Sequence, residues 1–267
     1  MSDMTSSSGF VPLLTSAPRS RVEWELEDDV TVPESELQDT TLDLLKQLFL
    51  AWAAREGNGA HVMRNRAIRW DEEHPRVGVD PDIAILASAP PEGIALRSVR
   101  TWLSGHTPPI LAIEVVSENH PWKDYAVAPE KYAANGTEEL WVFDPLLVGP
   151  RITGGPFPLQ VWSRRADGGF ERIYAGDGPA RSPRLSTHGV DRWILITDEG
   201  LRLRVADDPQ GSSLWLTGEE RERSEKERER SEKERERSEK ERERSEKERA
   251  LAELAAVRAE LAKQRGG

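Results

Sequence analysis

The sequence predicts a mixed α/β domain followed by a long charged helix. Three observations carry this: apolar residues at three- and four-residue spacing over 39–56, short apolar runs bounded by turn residues over 61–143, and the heptad RERSEKE repeated four times without mismatch over 221–248. In order, the body reads helix, three strands, helix, strand, and then further strands.

Residues 1–20 are rich in Ser, Thr, Pro and Gly, with few large apolar groups to offset the entropy of ordering, and are expected to be a flexible leader. A single domain is expected over 21–206. Its first helix places Leu42, Leu45, Leu48, Phe49 and Trp52 on one face and stops at Gly57-Asn58-Gly59. Three extended runs follow, His61–Trp70, Val77–Ala87 and Pro109–Ser117, with a loop from Ser88 to Pro108 before the third. A helix over Asp124–Asn135 stops at Gly136, and the apolar strand Leu140–Phe143 comes next. Further strands are expected at Leu159–Ser163, Phe170–Tyr174, Trp193–Thr197 and Leu201–Val205. The break Asp207-Asp208-Pro209-Gln210-Gly211 opens a linker over 207–218. A charged helix is expected over 219–265; its repeat over 221–248 has no apolar residue for a coiled-coil seam, but Glu222 with Lys226 and Glu229 with Lys233 have helical ion-pair spacing. Beyond it, Ala250, Leu254, Val257 and Leu261 form a short coiled-coil seam that could pair with a second copy in a homodimer.

Composition narrows the chemistry. Zero cysteines among 267 residues exclude disulfide scaffolds, thiol nucleophiles and thiolate metal sites, so a bound metal must use oxygen or imidazole ligands. No apolar run approaches the ~18 residues of a membrane span, and the N-terminal stretch lacks a signal pattern, which predicts a cytoplasmic protein. Residues 219–267 hold 16 acidic and 16 basic side chains, so the net charge of -11 sits wholly in the body. Such an acidic surface argues against broad phosphate-backbone binding, and any nucleic-acid contact must be local.

The segment Ile110-Leu111-Ala112-Ile113-Glu114-Val115-Val116 reads as a strand buried on both faces with a carboxylate in its middle. Glu114 therefore needs protonation, a cation or a metal, and the same holds for Asp82 at the head of Ile83-Ala84-Ile85-Leu86. Two such acids on consecutive strands can share one hard ion such as magnesium. Lys131, on the following helix, is the best placed cation. The loop residues Arg97, Arg100, Trp102 and His106 form a small basic and aromatic set that could contact a phosphate strand. The five histidines show no ligand spacing.

Asp82, Ile113-Glu114-Val115-Val116-Ser117, Asp124, and the run Tyr132-Ala133-Ala134-Asn135-Gly136-Thr137-Glu138-Glu139-Leu140-Trp141-Val142-Phe143-Asp144-Pro145 together resemble the Uma-two-type restriction endonucleases of the PD-(D/E)xK nuclease superfamily. The resemblance covers about residues 22–205. It implies the restriction-endonuclease-like core of helix, three strands, helix and strand, here with added C-terminal strands. It also implies a magnesium- or manganese-dependent endonuclease acting on DNA, with Asp82 and Glu114 as metal ligands and the Val115 carbonyl as a further one. Val116 stands where the superfamily usually has lysine. The family displaces that lysine to the position of Ala128, and Lys131 lies one helical turn further on. Glu25 resembles part of an early Tyr-Glu-Leu segment and would add a third carboxylate. The family's Ser-Pro-Ser-Thr stretch is replaced by Ser117-Glu118-Asn119-His120-Pro121-Trp122. The alternative reading is a catalytically silent binding or assembly module of the same fold, favoured by the acidic body and by Val116.

Overall fold

The computed structural model describes residues 14–15, 24–25, 35–57, 59–186 and 189–265. The chain divides after Thr217 into two compact units.

In the first unit, β1 (Leu14–Thr15) precedes α1 (Glu36–Glu56). The Ser35 hydroxyl accepts the Gln38 amide at 3.2 Å at the start of α1, and left-handed Gly57 ends it. The strands β2 (His61–Arg64), β3 (Ala67–Arg69), β4 (Gly78–Val79), β5 (Ile83–Leu86), β6 (Ser98–Arg100) and β7 (Leu111–Val115) follow. One π turn, Lys123–Val127, runs into α2 (Ala128–Asn135), and β8 (Glu139–Phe143) succeeds it. The unit is completed by β9 (Leu159–Arg164), β10 (Phe170–Gly176), β11 (Ala180–Arg181), β12 (Trp193–Thr197) and β13 (Arg202–Ala206).

A seven-stranded sheet has the order β1-β10-β9-β8-β7-β5-β2, in which β7 and β8 are parallel and the other pairs antiparallel. The predicted order of helix, three strands, helix and strand is present as α1, β2, β5, β7, α2 and β8. Side chains alternate across the sheet. Ile83, Ile85, Leu111, Ile113, Val115, Trp141 and Phe143 pack with α1 and the small β11-β12-β13 sheet. Ala84, Leu86, Ala112, Leu140 and Val142 pack with α2, the π turn and residues of the β4-β3-β6 sheet. Glu114, one residue out of phase with Ile113 and Val115, therefore faces α2.

Two expected strands are each divided. The run 61–70 breaks at Asn65, whose φ is 50°, so β2 enters the large sheet and β3 a small one. The run 77–87 breaks at Pro81, which lacks a ladder donor, and yields β4 and β5. The loop over 88–108 contains β6, which pairs in parallel with β3. Most of the expected leader lies outside the described residues, but Leu14–Thr15 pairs with Phe170 and Glu171.

The expected linker is corrected over its first part. Trp215 is 3% exposed, stacks on Trp52 with ring centres 6.0 Å apart, and gives its carbonyl to Arg204 Nη2 at 2.7 Å. Residues up to Trp215 thus close the α1 face of the domain.

The second unit is α3 (Gly218–Arg265), 48 residues long. Its predicted pairs form, Lys226 with Glu222 at 2.6 Å and Lys233 with Glu229 at 3.8 Å. Side chains 254, 257 and 261 of the expected seam lie outside the described residues. No helix among the described residues is long and apolar enough to cross a membrane.

Candidate active site

The antiparallel register that pairs Ile83 with Ile113 and Ala84 with Ala112 sets Asp82 across from Glu114 at the ends of β5 and β7. Residues directly opposite in such a pair project to the same side, so both carboxylates face α2. Asp82 Oδ2 accepts the Val115 amide at 2.6 Å, which ties the two strands where their ladder ends. Glu114, 2% exposed, takes the Tyr132 hydroxyl on Oε1 at 2.6 Å. The Val115 carbonyl lies 3.5 Å from Gln38 Nε2 of α1.

The covering segment adds charge of both signs. Asp124, in the π turn, is buried and accepts the Ser117 amide at 3.3 Å. Burial, and then the charge of Glu114, raises its pKa to about 8. Burial and the Glu114 charge likewise hold Asp82 well above the usual carboxylate range. Burial raises Glu114, with Lys123 and the Tyr132 hydroxyl pulling the other way. Lys123 is raised chiefly by the negative charge of Glu114, so it stays an ammonium. Lys131 is 6% exposed, and burial together with the nearby Lys123 lowers it to about 8. Asp80, also raised by burial and within reach of the charges of Glu114, Lys123 and Lys131, joins them, so four acids and two lysines are gathered here.

Backbone anchoring holds this segment. Gly136, at φ 90°, ends α2, and a Cβ there would meet Pro108 Cγ at 2.9 Å. Arg164 of β9 donates to the carbonyls of Tyr132, Ala133 and Thr137 at 3.0, 2.7 and 2.8 Å, placing a cation at the negative end of α2. Tyr125 of the π turn donates its hydroxyl to Asp144 Oδ2 at 2.8 Å and accepts the Phe157 amide at 2.9 Å. Asp144 Oδ2 also accepts the Gly149 amide at 2.8 Å. Gly149 lies flat against the Tyr125 ring, so a Cβ there would fall 2.1 Å from Tyr125 Cζ. Gly149→Ala is expected to cost about 3 kcal/mol or more through overpacking and to move the π turn. Thermal unfolding should show a loss of roughly 6–12 °C for a domain of this size, and an unchanged midpoint would refute the account.

Not every predicted residue joins the group. Glu25 forms an ion pair with Arg76 at 2.5 Å and a bridge with Val77, beside β4, and is not brought to the carboxylate pair. Asp124, not Glu25, is the further carboxylate whose charge interacts with Glu114. In the loop set, His106 is a structural residue: it is buried, accepts the Arg100 amide on Nδ1 at 3.0 Å and meets Glu92 Oε2 through Nε2 at 3.0 Å. Arg97 and Arg100 are exposed. Asp71, Glu73 and His74 gather in an exposed turn, which their own hydrogen bonds to Asp71 account for. Lys123 and Gln38 carry no signal in the sequence, and Tyr132 stands there only as part of the family-like run, with no role at Glu114. A π turn inserts a residue relative to helical spacing, so no 3.6-residue count would have aimed Lys123 at Glu114.

A family model, Uma2, described as a putative restriction endonuclease, matches residues 10–152. The chain belongs to the Uma2 family. The matched region contains α1 to β8, so it holds Asp82, Glu114, Lys123, Asp124, Lys131 and Tyr132, whereas β9–β13 and α3 lie beyond it. No curated protein matches the chain. A solved structure of a putative nuclease belonging to DUF820, from Anabaena variabilis, is similar at 14% identity, over 57% of this chain and 75% of that one, with a TM-score of 0.39.

Proposed function

We propose that this Uma2 protein is a magnesium- or manganese-dependent endonuclease that hydrolyses DNA phosphodiester bonds. The observation that carries the reading is the Asp82–Glu114 pair, set opposite each other on adjacent strands and covered by a segment bearing two lysines.

The donor set suits a hard divalent ion. Asp82, Glu114 and the Val115 carbonyl offer only oxygens, and two carboxylates raised by burial favour a cation that neutralises them. When bound, such an ion polarises a phosphate and lowers the pKa of a water. The protein's own groups do the rest. Tyr132 fixes one Glu114 oxygen, leaving the other for a ligand. Lys123 remains charged and can stabilise the negative charge that accumulates at phosphorus. Lys131, titrating at about 8, can give or take a proton at Nζ near neutral pH. This distributes between two lysines the work expected of one at Val116.

The test is calorimetric titration of magnesium and manganese into the full chain, with plasmid nicking measured on the same samples. Saturable metal binding with metal-dependent nicking is the expected result. Absence of both would overturn the proposal, and binding without nicking would favour the silent module.

A further inference from the structure

The chain has nine tryptophans. Trp24, Trp52, Trp141, Trp162 and Trp215 are buried in the cores, and Trp70, Trp102 and Trp193 are half-buried. Trp122 alone is exposed, at 52%, and it immediately precedes Lys123. An exposed indole keeps its π face available to a ligand, and its chain neighbour Lys123 is the cation whose charge interacts with Glu114.

Resting on the nuclease reading, we propose that Trp122 is a base-stacking contact: its indole takes the face of a nucleobase next to the phosphate that Lys123 contacts. Consecutive Cα atoms are about 3.8 Å apart, so residues 122 and 123 offer an aromatic face and a cation to adjacent parts of one nucleotide. The charge balance points the same way. With 32 acidic against 21 basic residues in positions 1–218, the body has little capacity for counterion-release binding. Stacking draws on the π face that every base presents, and it does not weaken with salt as phosphate contacts do. It also needs a base that is unstacked, which favours single-stranded or locally opened DNA as the strand engaged at Trp122.

The experiment measures KM and kcat for metal-dependent cleavage of a labelled DNA oligonucleotide by the full-length parent, Trp122→Ala and Trp122→Phe. Each is assayed at low and high salt, on normal DNA and on DNA with abasic positions flanking the cut. Stacking of one base is worth about 1–3 kcal/mol, so Trp122→Ala should raise KM roughly 5- to 150-fold. That factor should be the same at both salts and largely restored by Trp122→Phe. Abasic DNA should raise the KM of the parent and erase its advantage over Trp122→Ala. Equal KM values for an active parent and Trp122→Ala would overturn the stacking contact and leave the nuclease reading standing. So would a Trp122→Ala defect that persists on abasic DNA. A parent that cleaves no DNA with either metal overturns both.

Discussion

Glu114→Gln is expected to lower metal-dependent DNA cleavage by about 10³-fold or more, a loss in the upper range of removing a preorganised electrostatic contact to the transition state. The substitution keeps the shape of the side chain and an oxygen for the Tyr132 hydroxyl, so the fold should persist. It removes a charge that burial and neighbouring acids disfavour, and the metal-free variant should therefore unfold no more easily than the parent near neutral pH. Asp82→Asn should behave alike, because an amide oxygen can still accept from the Val115 amide. If the two acids work as one metal site, the double variant should lose scarcely more activity than either single one. Single-turnover cleavage, metal titration and thermal unfolding on the same samples separate these effects. Undiminished cleavage by Glu114→Gln would remove the carboxylate pair from the mechanism.

The second large effect is on stability, at a buried acid away from that pair. Glu139 of β8 is fully buried on the opposite side of the sheet, where it accepts Trp141 Nε1 at 2.5 Å, Ser182 Oγ at 2.6 Å and the Arg184 amide at 2.8 Å. It joins the large sheet to the segment that follows β11. Glu139→Ala strands two buried donors and one half-buried one and opens a cavity, and a loss of roughly 3–5 kcal/mol is expected in denaturant unfolding. A loss below about 1 kcal/mol would show that the network is not stabilising. Burial outweighs the three donors and raises this carboxyl from 4.5 to about 7. Because the folded value lies above the unfolded one, its contribution is fully present below about 4.5 and is lost as pH rises through about 7. Glu139→Gln should flatten that part of the stability profile, although its amide would clash with one of the donors. A profile between pH 4.5 and 7 identical to that of the parent would contradict the assignment.

Much of the architecture was legible in the sequence because it depends on local spacing. The 3.6-residue recurrence from Leu42 to Trp52 fixed α1, with its face and its stop at Gly57. The near-continuous apolar run around Glu114 marked a strand buried on both faces, and the charged heptad announced α3. Asp82 and Glu114 stood out because a carboxylate inside an apolar strand demands a partner wherever the fold places it. These properties follow from residue type and periodicity alone.

Other features were decided only by tertiary structure. Pairing register, which depends on residues far apart in sequence, set Asp82 across from Glu114 rather than one residue away on the other face of the sheet. Asn65 and Pro81 divided apparently continuous strands between two sheets. The fold, not the local sequence, drew Trp215 of the apparent linker onto Trp52 and committed Glu25 to Arg76. The π turn selected Lys123 and Asp124 to join Lys131, since one added backbone residue changes which side chains face the sheet. The Glu114 charge then kept Lys123 an ammonium while burial lowered Lys131 to about 8, because desolvation and neighbouring charge exist only once the chain has folded around them.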